Sequence, residues 1–239
     1  MRSPYGFDLI DDCSKCEWRA EPFFCDLATA LLEKFDALTY TTAYPAGAVL
    51  YVEGQVPGGV YVLCKGRVKL TASSSEGKTL VVRIAESGEV LGLSGSISGR
   101  PYRVTAETLE PCQVKFIKRM EFLAFLHEHG EISFRVARQL SAELHDAFDQ
   151  VRSLGLSSSA AAKLGKLILN WCEANGKQTD GGVRLKLLMT HEQIAQMIGT
   201  SRETVTRLLS DFRQRQILEI TGSKLVVRDK AALEVMANP

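Results

Sequence analysis

Two groups of side chains in this sequence have the types and spacing to do chemistry. The first is Arg202, Glu203, Thr206 and Arg207 in GTSRETVTRLL, whose spacing puts them on one face of a helix. Arginine can fork onto guanine, glutamate can accept from the cytosine amino group, and a small threonine can meet a base edge or a thymine methyl. The second is Cys13, Cys16 and Cys25, a C-x2-C-x8-C arrangement near the N-terminus. Thiols so grouped point to metal ligation, redox chemistry or apolar packing rather than to a small disulfide scaffold. Cys64, Cys112 and Cys172 are scattered. His127, His129, His145 and His191 all stand outside the strand-rich segment, where a metal-dependent catalyst would need clustered imidazoles and carboxylates. No enzyme is expected.

The elements that must position the first group are legible in LLMTHEQIAQMIGTSRETVTRLLSDFRQRQILEI. Thr190 and Gln193 have the spacing of a capping box, Gly199 supplies a turn, and Thr200 with Glu203 repeats the box. This predicts helices over 191–199 and 201–216. Ile194, Ile198, Val205, Leu208, Leu209 and Phe212 can close a core between them. Ser201, Arg202, Glu203, Thr206 and Arg207 are left facing outward at the start of the second helix, where a helix-turn-helix protein reads the major groove. A plain solvated face, with Glu203 only a capping partner, is the rival reading. EITGSKLVVRD then predicts a hairpin around Gly222 and Ser223, which makes a winged helix and offers Lys224 and Arg228 to phosphates. A helix over 160–175, capped by one of Ser157, Ser158 and Ser159, and a strand over 183–188 complete the unit.

Upstream, residues 40–119 alternate short Val, Ile, Leu and Tyr-rich runs with glycine, the pattern of a compact all-β sandwich or barrel. Helical spacing follows. Val136, Leu140, Leu144, Ala147, Val151 and Leu154 recur at steps of four or three, one apolar seam on a long helix. Such a seam can pack on its own β domain. Its length past that domain favours the same helix of a second copy, and so a two-fold homodimer. The expected division is a cysteine-rich segment over 1–26, a β-roll sensor domain over 27–130, a dimerisation helix and hinge over 131–156, and a winged-helix domain over 157–239.

The whole chain, 239 residues with 45% hydrophobic and 24% charged, has a globular composition that excludes disordered, collagenous and low-complexity classes. No apolar run approaches the roughly 20 residues of a spanning helix. The acidic start MRSPYGFDLIDDC lacks the apolar stretch of a signal peptide, so a cytoplasmic protein with no membrane partner is expected. The net charge of +1 hides an asymmetry: residues 157–239 hold twelve Lys+Arg against eight Asp+Glu, leaving seventeen against twenty upstream. A mildly basic C-terminal part suits a polyanionic partner.

The glycine-punctuated β segment, the long helix and the winged helix carrying EQIAQMIGTSRETVTRLL resemble the CRP/FNR family of bacterial transcription regulators along residues 20 to 235. The resemblance implies an α+β chain: an N-terminal β-roll, a cyclic-nucleotide-binding-like jelly roll, then a long dimerisation helix and a C-terminal winged helix-turn-helix. It implies a dimer on palindromic double-stranded DNA, with RNA polymerase as a further partner. Arg202, Glu203 and Arg207 take the base-reading positions, with Thr206 beside them and Thr200, Ser201 and Lys224 flanking. Cyclic-nucleotide-binding members carry a Glu for the ribose and an Arg-Ser pair for the phosphate. Here those positions are Leu93 or Ser94 and Arg100-Pro101, so cyclic AMP is not the expected ligand, and Arg100 and Arg103 are expected as surface charges or helix contacts.

FNR-type members hold a [4Fe–4S] cluster with closely spaced N-terminal cysteines and one more from the β domain, and thiolates suit such a cluster. The resemblance so implies Cys13, Cys16 and Cys25, with Cys112 as the fourth ligand. Cys112 stands about three residues early in its strand, and an odd offset turns a side chain to the opposite face. Cys64 in YVLCKG reads as a core strand residue, and Cys172 beside Trp171 as helix core. A zinc site, a disulfide switch and thiols without a role stay open beside the cluster. With structural or inert cysteines, the effector would be another small molecule in the β-roll.

The seam generates a first test. Glutamates at Leu144 and Val151 would bury like charges across a two-fold axis, and sedimentation is expected to show monomers. An unchanged dimer would move the interface elsewhere.

Overall fold

The computed structural model describes residues 3–10, 13, 16, 25, 27–156, 159–187 and 189–237, with the backbone alone at 153–156 and 174–175. The chain divides into two compact units, Met1–Asp146 and Ala147–Pro239, a division that falls inside the long helix rather than at its end.

In the first unit the order is α1 (Thr29–Ala37), β1 (Tyr40–Tyr44), β2 (Val49–Tyr51), β3 (Gly59–Lys65), β4 (Val68–Ser73), β5 (Thr79–Ala85), β6 (Val90–Leu91), α2 (Leu93–Ser98), β7 (Thr105–Thr108), β8 (Cys112–Lys118), α3 (Arg119–Glu128) and α4 (Gly130–Leu156). The strands form two four-stranded sheets, ordered β1-β8-β3-β6 and β2-β7-β4-β5. Alternation along β3 and β8 feeds two cores. Leu63, Cys112 and Val114 point inward to Tyr51 and Leu70 of the other sheet and to Tyr102 of the loop before β7. Val60, Val62 and Ile117 point outward, under Phe35 of α1, Phe122 of α3 and Ile132 of α4. Glycine is required where β3 begins: a Cβ on Gly59 would stand 1.9 Å from the Ile117 carbonyl oxygen. The Gly59 carbonyl accepts from the Tyr102 hydroxyl at 2.6 Å and the Ser96 hydroxyl at 2.8 Å, which ties α2 to the sheet.

The expected seam on α4 has a buried part and an exposed part. Val136 is 3% exposed and, with Leu140, packs into the chain's own outer core beside Ile132. Leu144, Ala147 and Val151 are exposed, together with Phe134 and Phe148; Leu154 lies in the helix, its side chain outside the described residues. At about 100° per residue Val136, Leu140, Leu144, Ala147 and Val151 stay within about 80° of arc. What separates the first two from the rest is burial along the helix: Val136 and Leu140 pack into the outer core, and the later positions are exposed.

The second unit contains α5 (Ala160–Asn175), β9 (Lys177–Thr179), β10 (Gly182–Lys186), α6 (His191–Ile198), α7 (Arg202–Gln214), β11 (Leu218–Thr221), β12 (Lys224–Val227) and α8 (Lys230–Ala237). Its four strands form one sheet, β11-β12-β10-β9. Ser159 caps α5 by accepting from the Ala162 N–H; Ser157 and Ser158, the other expected caps, lie outside the described residues, as does Leu188 at the end of the expected strand. The Thr190–Gln193 capping box is formed on both sides. Gly199, at φ 65°, takes the left-handed conformation that ends α6 and that a side chain would strain. The second box does not form. Ser201 rather than Thr200 caps α7, accepting from the Thr204 N–H, so Glu203 becomes the second residue of the helix. Ile194, Ile198, Val205, Leu209 and Phe212 are buried in one core with Leu164, Leu218 and Leu233. β9 and α8 carry too little periodicity to be read in advance.

Gln139 of α4 is 2% exposed and is bound to the backbone of β6, accepting from the Val90 N–H at 3.2 Å and donating to its carbonyl at 2.6 Å. Gln139→Leu strands both groups, and urea unfolding is expected to show a loss of about 1–3 kcal/mol. An unchanged midpoint would mean that they find other partners.

Candidate nucleic-acid interface

Packing on one side of α7 decides what stands on the other. Val205, Leu209 and Phe212 are buried, and Arg202, Glu203, Thr206, Arg207, Ser210, Asp211 and Gln214 line a single open face. The Glu203 carboxyl is held below its usual range by its own backbone N–H, then by the Ser201 hydroxyl and the neighbouring Arg202 charge. It is therefore an ionised acceptor at the helix start, suited to a base amino group. Ser201, Arg202, Glu203, Thr206 and Arg207 come together as expected. Thr200 is half-buried in the turn, where its N–H bonds the Ala195 carbonyl at 3.0 Å. Lys224 is exposed at the start of β12, next to the Gly222–Ser223 turn.

Arg228 is exposed, and part of its donor set is already used within the sheet. Its guanidinium bonds Glu219 at 2.9 Å and the Gly181 carbonyl at 2.7 Å, which fastens β12 to its neighbours. Three contributors were not read from the sequence. Ser210 and Gln214 extend the reading face at steps of three and four beyond Arg207, a signal the same helix arithmetic contains. His191, the first residue of α6, places Nδ1 2.8 Å from the Thr206 hydroxyl, a contact between helices that no periodicity announces.

The cysteines divide differently from the expectation. Cys112 is 0% exposed and faces the inner core, where its thiol donates to the Glu110 carbonyl at 3.1 Å and burial pushes its pKa up to about 11. The odd offset does turn it away: at that offset the outward residue of β8 is Lys115, in line with Gln113 and Ile117, and its ammonium pairs with Asp36 and donates to Cys13 Sγ at 3.1 Å. Of the N-terminal segment, Phe7, Ile10 and Cys13 meet residues of β3 and β8. Ile10 exchanges hydrogen bonds with Gln113 at 2.8 and 2.7 Å, and Lys65 stands over the Phe7 ring at 5.4 Å. Cys64 follows Val60 and Val62 outward, at a bulge where Cys64 and Lys65 together oppose Gln113. Burial chiefly raises the Cys64 pKa; Lys115, Cys13, Cys25 and Cys16 all act on it electrostatically. Cys64, read as simple core, is thus the β-domain thiol that shares a face with the N-terminal set, and Cys112 is not. Cys172 is buried in the second unit, as read. Among the described residues no three His, Cys, Asp or Glu side chains close on one point that could hold a metal ion.

Where a ribose carboxylate would stand, Leu93 is buried and Ser94 exposed; Arg100 and Arg103 are exposed. Tyr51 and Tyr102 stack inside the roll with ring centroids 4.1 Å apart, and burial drives the Tyr51 hydroxyl pKa upward. Among the described residues no helix is long and apolar enough to cross a membrane.

A β-roll, a long helix and a winged helix-turn-helix with this reading face define a DNA-binding regulator of transcription. Residues 41–129 match the cyclic nucleotide-binding domain and residues 162–236 the Crp-like helix-turn-helix domain. A CRP-like cAMP-activated global transcriptional regulator of Mycobacterium tuberculosis is 24% identical over 190 residues, 80% of this chain and 84% of that protein. The global nitrogen regulator of a Synechocystis species is 29% identical over 188 residues, 77% and 82% of the two chains. The solved structure of a CooA mutant from Carboxydothermus hydrogenoformans superposes with a TM-score of 0.75 at 22% identity, covering 89% of this chain and 92% of that one. The chain belongs to the CRP/FNR family of transcription regulators.

Arg207 is exposed at the centre of the reading face, where a forked base contact is worth on the order of 1–3 kcal/mol of discrimination. Arg207→Ala is expected to erase preference for the cognate site and leave weaker, salt-sensitive binding to any duplex. Selection of the same sequence from a random pool would contradict the assignment.

Proposed function

We propose that this regulator binds a palindromic DNA site as a homodimer, and that its N-terminal thiols hold an iron–sulfur cluster through which oxygen or redox state governs DNA binding, as in the FNR-like branch of the family. The carrying observation is the docking of the N-terminal segment on the outward face of β3 and β8, where Cys13 meets Lys115. Cys13, Cys16, Cys25 and Cys64 are the proposed ligands. Cys64 replaces Cys112 because the two stand on opposite faces.

The donor set suits the group: soft thiolates favour iron–sulfur chemistry, and the Lys115 ammonium offsets their negative charge. When bound, the cluster supplies redox-active iron and sulfide. Cys13 packs against the outer core that contains Val136 and Leu140. A change at the thiols therefore reaches the root of α4 through contiguous packing. The exposed stripe of Phe134, Leu144, Phe148 and Val151 supports pairing with a second copy, which would set two reading helices about one DNA turn apart. Cyclic AMP is not the proposed effector, a reading supported by Leu93 at the ribose position and by the stacked tyrosines inside the roll. A cytoplasmic location and contact with RNA polymerase complete the proposal.

Protein made without oxygen is expected to be brown, to contain near-stoichiometric iron and sulfide, and to bind DNA more tightly than aerated protein. Cys16→Ser and Cys64→Ser should each abolish the colour and the oxygen response, while Cys112→Ser keeps both. Colourless protein with one zinc per chain would favour a structural metal, and metal-free protein with unchanged DNA affinity would leave the thiols without a sensing role. Colour kept in Cys64→Ser and lost in Cys112→Ser would reverse the ligand assignment.

A further inference from the structure

Thr206 carries two hydrogen bonds that together decide what its hydroxyl can read. Oγ1 lies 2.9 Å from the Arg202 carbonyl oxygen and 2.8 Å from Nδ1 of His191. A carbonyl oxygen can only accept, and a hydroxyl has one proton, so that proton goes to Arg202. The other bond must then take its hydrogen from the ring: His191 carries Nδ1–H, as neutral imidazole or as imidazolium, and donates into one lone pair of Oγ1. One lone pair remains, on an exposed residue in the middle of the reading face.

An isolated threonine hydroxyl can donate or accept, and so serves any base. In a helix its χ1 divides between two rotamers, of which only some place Oγ1 against the carbonyl one turn back. The imidazole selects the rotamer seen here. In the major groove the amino groups of adenine and cytosine are donors, whereas guanine presents N7 and O6 and thymine O4, all acceptors. We propose that His191 is a specificity-determining residue that touches no base: it holds Thr206 as an acceptor-only reader, so that the base facing Thr206 is adenine or cytosine. This rests on the reading of α7 as the base-contacting helix.

The test is selection from a random duplex pool by the full chain. The wild type is expected to enrich adenine or cytosine at one position in each half-site. His191→Ala should admit guanine and thymine at that position alone, with discrimination there falling about fivefold. His191→Asn, whose side-chain amide can set an N–H where Nδ1–H stands, should restore the preference. Thr206→Val should lose it and make a second change at His191 silent for base choice. Base frequencies unchanged in His191→Ala would overturn the proposal, as would an even loss of affinity over all sequences, the mark of a phosphate contact. A wild type that selects no sequence at all would instead remove the reading of α7 itself, and the proposal with it.

Discussion

The antiparallel pairing of β3 with β8 is the constraint on which the first unit depends. These two strands run between an inner core and an outer core, so the parity of each residue assigns it to one or the other. Val60, Val62 and Ile117 hold the helices against the sheet, and Leu63, Cys112 and Val114 close the roll. The same parity sets Lys115 outward at the Cys13 thiol. Nothing in the N-terminal segment would have this surface to dock on if the register slipped by a single residue.

The second unit rests on a smaller device of the same kind. α6 and α7 share one apolar seam, and once Val205, Leu209 and Phe212 are buried the positions of Arg202, Glu203 and Arg207 follow. Most of this was legible in advance because local signals agree: the Thr190–Gln193 box, the Gly199 turn and the spacing of the apolar residues all specify one geometry. The start of α7 was misplaced by one residue because Thr200 and Ser201 are both competent caps, and only the competition between them decides. The internal contacts of Arg228 were not legible, for a different reason. Its partner Glu219 lies on the adjacent strand, and a cross-strand ion pair leaves no trace in a linear pattern.

α4 shows where a periodic signal is real but ambiguous. An apolar step of four satisfies a helix facing its own domain and a helix facing a partner alike, and here Val136 and Leu140 are buried on the chain's own core while Leu144, Ala147 and Val151 are exposed. Gln139 and Glu143 mark the first face with polar contacts to Val90 and Arg83, so the root of the helix is bolted to the sheet by hydrogen bonds as well as by packing. The cysteines pose the same difficulty in a strand. Counting residues finds Cys112 in the right element and on the wrong face, while the outward place of Cys64 depends on a bulge that only the folded sheet defines.

The thickness of that sheet has a chemical consequence. Cys112, sealed at 0% exposure beneath Gly66, has no room beside it, since even a Cβ on Gly66 would come within 2.5 Å of its sulfur. An oxidant or alkylating agent can meet Cys112 only when the roll itself comes apart. Cys13, Cys16, Cys25 and Cys64 are only half-buried, on the other side, and so are in part exposed in the native state. One layer of backbone thus sorts the thiols of this unit by timescale, with one population answering to the surroundings and one answering only to unfolding.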